Sequence, residues 1–231
     1  MHPLLVRLLR RAYHGGHARL HEMTQEEIQN HLAQFNTKGK EEVDLPFESY
    51  EINEEVRFEI IRKPAHHNDQ KGTLLFIRGS AFTGGPLDET LSYTHMLADY
   101  YGMDVVNLHF RVAPQYKFPT FFEDICATVQ YLADNHTQYH LNRPFTLWGE
   151  SSGGTMAASV CQHFENMGKK LIDKLVLIYP MMDLIRDYPS KDLYGQGYML
   201  DLTFIEWLKD KTLNTQEEWS DYRISPALGT M

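Results

Sequence analysis

Cysteine is nearly absent from this chain: two residues, Cys126 and Cys161, in 231. Two cysteines cannot supply the disulfide framework of a small secreted domain. Both lie in helix-like stretches and read as small buried hydrophobes in a reducing, cytoplasmic compartment. No apolar run approaches the roughly 18 residues that cross a bilayer, so no transmembrane segment is expected. Basic side chains are outnumbered, 22 Lys and Arg against 31 Asp and Glu for a net charge of −9. That balance removes nucleic acid as the main partner, because phosphate binding needs a basic face. The histidines show no His-Glu-x-x-His helical spacing, so neither a metal nor a cofactor is expected. The scarcity that matters most is local. After Ser151 the chain contains a single histidine, His163.

What is present suffices for one sizeable core: 42% of residues are hydrophobic, the content of one α/β domain with a small appendage. Residues 1–45 show helical periodicity in two pieces and are expected to form an N-terminal helical cap segment. The first piece carries Arg7, Arg10, Arg11 and Arg19 without an acid. It is too interrupted by arginine for a secretory signal and reads as a helix folded over the domain. In the second piece, Thr24 and Glu27 are spaced as a capping box, with Ile28, Leu32 and Phe35 on one stripe. Residues 46–231 are expected to form the core. Alternation over 50–62 predicts a half-buried antiparallel strand or hairpin.

From there buried strands alternate with helices. The apolar stretches 73–77, 103–108, 144–148 and 174–179 read as strands, and 91–101, 121–132 and 155–164 as helices. Strands joined by crossover helices imply a mostly parallel sheet with ligands at the strands' carboxyl ends. Residues 180–197 read as loop, and 202–208 as a short helix with Trp207.

The chemistry sits at Gly149-Glu150-Ser151-Ser152-Gly153. A strand runs into Gly-x-Ser-x-Gly and a helix follows, the context of a nucleophile elbow. The tight turn needs glycines where neighbouring backbone comes close. It lifts the Ser151 hydroxyl above the sheet at a helix N-terminus that favours developing negative charge. A serine needs a base, and the base needs a group to orient it.

These residues resemble the hormone-sensitive-lipase-like branch of the α/β-hydrolase fold from about residue 51 onward. Ile77-Arg78-Gly79-Ser80-Ala81-Phe82 stands where that family has its His-Gly-Gly-Gly-Phe oxyanion loop. Phe110-Arg111-Val112-Ala113-Pro114, with Phe118-Pro119 and Glu123-Asp124, is similar to its Tyr-Arg-Leu-Ala-Pro…Phe-Pro…Glu-Asp signature. Gly149-Glu150-Ser151-Ser152-Gly153-Gly154 is similar to its Gly-Asp/Glu-Ser-Ala-Gly-Gly elbow. Ser225-Pro226-Ala227-Leu228 resembles the segment leading to a further core strand. The resemblance implies a central sheet flanked by helices, its last core strands missing from this chain. It also implies a serine carboxylic-ester hydrolase acting on short- to medium-chain acyl esters, with a small-molecule ester as its partner. Ser151 would be the nucleophile, and the backbone N–H groups of Gly79, Ser80 and Ser152 would form the oxyanion hole.

Two departures follow. Arg78-Gly79-Ser80-Ala81 replaces three consecutive glycines after a histidine, and Ser and Ala accept positive φ less readily than Gly. Arg78 itself is expected to pair with a Glu or Asp. The triad's acid and histidine are expected beyond Leu228. His163 lies twelve residues down the helix from Ser151, about 18 Å at 1.5 Å per residue. His109 lies two strands from the elbow in this fold's order, roughly 10 Å at 4.8 Å per strand. Asp183 and Asp187 read as solvated loop acids. The alternatives are therefore a catalytically inactive ligand-binding protein, as in the plant gibberellin receptors that resemble the same branch, or a truncated remnant. A strand at 174–179 left on the sheet's edge would expose Leu175-Val176-Leu177-Ile178, an unblunted apolar edge open to self-association.

Overall fold

The computed structural model describes residues 45–69, 71–84, 87–196, 200 and 202–229. The expected cap, residues 1–45, lies outside the described residues apart from Leu45. Six strands form one sheet: β1 (Glu48–Glu51), β2 (Arg57–Ile61), β3 (Thr73–Ile77), β4 (Asp104–Leu108), β5 (Phe145–Glu150) and β6 (Lys174–Ile178). Their spatial order is β1-β2-β4-β3-β5-β6. β1 and β2 make an antiparallel hairpin and β2 lies antiparallel to β4, while β3, β4, β5 and β6 run parallel. Every strand expected from the sequence is present.

Helices cover both faces. α1 (Leu87–Tyr101), α2 (Thr120–Asn135) and α3 (Ser152–Asn166) are the crossovers. One core packs Phe121, Ile125, Val129 and Leu132 of α2 and Met156, Ala157 and Val160 of α3 against Leu75, Ile77, Val106 and Leu147. The other packs Leu97 and Ala98 of α1 against Leu74, Phe76, Val105 and Trp148. A strand covered on both faces has no solvent side, which is why Thr73-Leu-Leu-Phe-Ile77 is buried throughout.

The same logic corrects the reading of β2. Alternation predicts that Glu59 faces water, yet Phe58, Glu59, Ile60 and Ile61 are all buried. The reason lies across the ladder. Glu59 is in register with Asn107 and accepts a 2.9 Å hydrogen bond from its Nδ2. The 180–197 loop also contains a short helix, α4 (Pro189–Tyr194), which begins at a proline suited to a first helical turn. α5 (Leu202–Thr212) extends the expected helix by a turn and buries Phe204 and Leu208 on the α2–α3 side. β6 lies on the sheet edge, with Leu175 40% exposed. No helix among the described residues is long and apolar enough to cross a membrane.

Candidate active site

The strand-to-helix turn after β5 places Ser151 at φ 52° and ψ −124°. This region is almost closed to residues with a side chain and costs on the order of 1–3 kcal/mol. Local contacts hold it. The Ser151 N–H donates to the Ile178 carbonyl at 2.9 Å, continuing the β5–β6 ladder by one residue. Thr155 Oγ1 donates to the Met181 carbonyl at 2.7 Å and accepts from the Met181 N–H at 3.1 Å, tying the first turn of α3 to the loop after β6. Two glycines make the approach feasible. A Cβ on Gly149 would run into the Gly153 carbonyl, and one on Gly153 would run into the carbonyls of Ile77 and Arg78. Gly153 is what lets the helix start press against the end of β3.

That contact brings the β3 loop to the elbow. A Cβ added to Gly79 would stand 3.1 Å from the Ser151 Cβ, so the two residues are immediate neighbours. Neither Gly79 nor Ser80 has positive φ, whereas Ala81 (φ 49°) and Phe82 (φ 58°) both do. The loop thus takes the left-handed region at two side-chain-bearing residues, each costing roughly 1–2 kcal/mol. What offsets this is a side chain. Ser152 Oγ, buried below the loop, accepts the Ser80 N–H at 3.0 Å and the Phe82 N–H at 3.3 Å. Ser80 O accepts the Thr83 N–H, and Phe82 O accepts the Ala113 N–H, each at 2.9 Å.

The three residues expected to supply oxyanion donors are therefore gathered beside Ser151. One of them, the Ser80 N–H, is already donated to the Ser152 hydroxyl. Gly79 N–H finds no acceptor among the described residues, and the Ser152 N–H belongs to a first helical turn with no intrahelical acceptor. Reading the motif by its backbone assigned Ser152 a donor role and missed its hydroxyl. The available signal was paired: glycines lost at 80 and 81, and a hydroxyl gained at 152 where the resembling family has alanine.

The Arg78 side chain is buried. It is 7% exposed, with its guanidinium carbon 5.2 Å from the Phe110 ring centroid. Burial lowers its pKa, opposed by the attraction of Glu59. Burial alone would raise the Glu59 pKa, but contacts from His109 and Asn107 bring it below the ordinary carboxylate value. His109 Nε2 lies 3.0 Å from Glu59 Oε2. These four side chains form a buried polar layer beneath the loops after β3 and β4. Arg111 grips Asp124 through its backbone N–H (2.9 Å), Nε (3.0 Å) and Nη2 (2.7 Å). The Arg and Asp of the signature thus act as a clamp between the β4 loop and α2.

No described histidine bonds Ser151. His163 Nδ1 is 3.1 Å from the Tyr222 hydroxyl and its ring packs edge-on against Phe122. His109 is held by Glu59, with β3 lying between its strand and the elbow strand. Asp183 is not the solvated acid expected, since its side chain is only 3% exposed. It accepts the N–H groups of Ile185 and Arg186 and the Tyr188 hydroxyl, and these bonds lower its pKa against the opposing effect of burial. Asp187 is fully exposed, as expected. Ser225 is buried, bridging the Trp219 carbonyl (2.7 Å) and the Leu184 N–H (3.2 Å).

Comparison with known proteins agrees with this geometry. The chain is 28% identical over 160 residues to an ethyl acetate hydrolase of Pseudomonas putida, a match covering 68% of this chain and 50% of that protein. It is 30% identical over 173 residues to a lipase of Moraxella sp. (strain TA144), covering 61% of this chain and 40% of the other. The chain thus spans about half the length, or less, of these curated relatives. Among solved structures, an ester-hydrolase from the metagenome of Lake Arreo superposes with TM-score 0.84 at 25% identity, covering 98% of this chain and 74% of that one. An esterase from the archaeon Pyrobaculum calidifontis gives TM-score 0.84 at 20% identity, over 100% of this chain and 76% of the other, and shows the shared fold. A family profile described as alpha/beta hydrolase fold matches residues 74–231. With strand order, elbow and sequence profile in agreement, the chain belongs to the alpha/beta hydrolase fold family.

Proposed function

We propose that this chain carries the nucleophile of a serine carboxylic-ester hydrolase acting on short- to medium-chain acyl esters. The observation that carries the reading is Ser151 held at φ 52°, ψ −124° on a strand–turn–helix bend, with the Gly79 loop against it. Its hydroxyl attacks the ester carbonyl. The Gly79 and Ser152 N–H groups receive the developing oxyanion, each worth on the order of a hundredfold in rate. The Ser80 N–H serves only as far as it is shared with the Ser152 hydroxyl. The proton acceptor and its orienting acid come from residues other than those described, in cis or in trans, because every described histidine is engaged elsewhere or remote. The names of the relatives, an ethyl acetate hydrolase and a lipase, support ester substrates.

The test is labelling with a fluorophosphonate beside turnover of p-nitrophenyl esters from acetate to octanoate. Ser151→Ala should abolish labelling. Equal, non-zero labelling of both forms would remove Ser151 from the chemistry. The absence of an imidazole partner for Ser151 among the described residues favours a second reading, a ligand-binding protein that does not turn over. It predicts thermal stabilisation by small esters or acids with no hydrolysis.

The free cysteines support a reducing, cytoplasmic setting. The exposed β6 edge supports self-association by pairing with a second copy. Leu175→Lys should then lower the weight-average mass in sedimentation.

A further inference from the structure

We propose that His66, His67 and Asp99 form a transition-metal site, suited to Zn²⁺, that clips the β2–β3 turn to the C-terminal end of α1. One ligand atom from each residue lies within 4.8 Å of the others. His66 Nε2 is 3.4 Å and His67 Nε2 3.6 Å from the same oxygen, Asp99 Oδ1. These separations are too long for good N–H···O hydrogen bonds, which cluster near 2.9–3.0 Å. They match the edge of a tetrahedron around one ion. With metal–nitrogen and metal–oxygen bonds of about 2.0–2.2 Å, two ligand atoms of a tetrahedral site stand roughly 3.3–3.6 Å apart.

The second observation is an orphaned atom. His67 Nε2 is buried and has no hydrogen-bond partner, although it faces the carboxylate. The ring is held there from behind: a Cβ on Gly102 would come 2.8 Å from His67 Nδ1, so only glycine lets the imidazole sit against the end of α1. The turn is fixed as well. The His67 N–H donates to the Pro64 carbonyl at 3.0 Å, and Lys63 Nζ donates to the carbonyls of His67 and Asp69, each at 2.6 Å. His66 and Asp99 are 66% and 63% exposed, leaving an open side for entry and a fourth ligand such as water.

Two imidazoles and one carboxylate are a borderline donor set that favours Zn²⁺, Ni²⁺ or Cu²⁺ over Mg²⁺ or Ca²⁺. The site precedes β3, whereas Ser151 follows β5, and the two strands run parallel. The cluster therefore lies at the opposite end of the sheet from the nucleophile and serves stability. It does not depend on the function proposed above.

The test uses the full chain stripped of metal by chelation. Zn²⁺ titration by calorimetry is compared for the unaltered chain, His66→Ala and Asp99→Asn, both exposed positions whose unfolding temperatures without metal verify folding. Co²⁺ is added in parallel to read the tetrahedral ligand-field band. One Zn²⁺ equivalent, a Zn²⁺-dependent rise in unfolding temperature and the Co²⁺ band should appear in the unaltered chain. Each substitution should weaken that equivalent by at least about tenfold, the typical cost of losing even an outer-sphere partner of a metal site. The same isotherm in all three proteins, or no Zn²⁺ uptake by the unaltered chain, would overturn the proposal.

Discussion

Removing one oxygen atom, through Ser152→Ala, tests how the β3 loop keeps its shape without the glycines of the motif it resembles. The hydroxyl accepts the N–H groups of Ser80 and Phe82 while Ala81 and Phe82 hold positive φ. Phe82 is 1% exposed, so its N–H has no water to turn to. An unsatisfied buried donor costs about 1–3 kcal/mol, and the partly exposed Ser80 N–H loses nearer the net value of a hydrogen bond, about 1 kcal/mol. If the loop instead relaxes, it sheds left-handed strain of roughly 1–2 kcal/mol per residue, but it leaves the geometry that aims Gly79 at Ser151. Expected destabilisation is therefore about 2–4 kcal/mol if the loop holds its shape, and less as far as it relaxes. At about 2–4 °C per kcal/mol for a chain of this size, that is a fall in Tm of several degrees. Amide exchange read by NMR should accelerate at Ser80 and Phe82 above all other sites. An unchanged Tm with unchanged exchange at those two amides would show that the hydroxyl is a passenger. A second readout separates its two roles. If Ser152→Ala labels faster with phosphonate while melting lower, the hydroxyl stabilises the loop and competes with the oxyanion for the Ser80 N–H.

Three further outcomes follow from the same geometry. Ser151→Gly should raise Tm, because glycine accepts φ 52° freely, and the gain is at most about 1–2 kcal/mol once its greater unfolded-state entropy is deducted; a lower Tm in calorimetry would mean the elbow is not strained. Gly153→Ala should destabilise by more than about 3 kcal/mol, since its Cβ meets two carbonyls of the adjacent β3 end rather than a yielding side chain; a urea midpoint within error of the unaltered chain would contradict the packing. Glu59 has a pKa lowered from its ordinary 4.5 despite burial, through His109 and Asn107. A depressed carboxylate stabilises above its unfolded pKa and loses that contribution as pH falls through the folded value. Acid melts below about pH 4.5 should be steeper for the unaltered chain than for Glu59→Gln; parallel curves would refute the link.

The expected strands were legible because each is either a run of apolar residues, as in Thr73–Ile77, or a hairpin with regular alternation. The elbow was legible because its glycines answer a local demand for close backbone approach. Glu59 misled because alternation speaks for one strand, while its burial comes from Asn107 and His109 on the neighbouring strand and its loop. Asp183 misled because its partners, Ile185, Arg186 and Tyr188, belong to a turn that loop-like composition does not reveal.

Local rules, period and turn chemistry, were enough to set the order of strands and helices and to single out Ser151 as the candidate nucleophile, and the motifs carried the family resemblance. They act between residues a few positions apart. Which groups meet across the sheet depended on how the strands were ordered in space. The Ser152 hydroxyl finds Ser80 and Phe82 some 70 residues away, Glu59 meets His109, and Asp99 faces two histidines from another turn. Such contacts exist only once β3 lies beside β5, β2 beside β4 and α1 against the β2–β3 turn, because hydrogen bonds and charges act over a few ångströms and spacing along the chain carries no record of them.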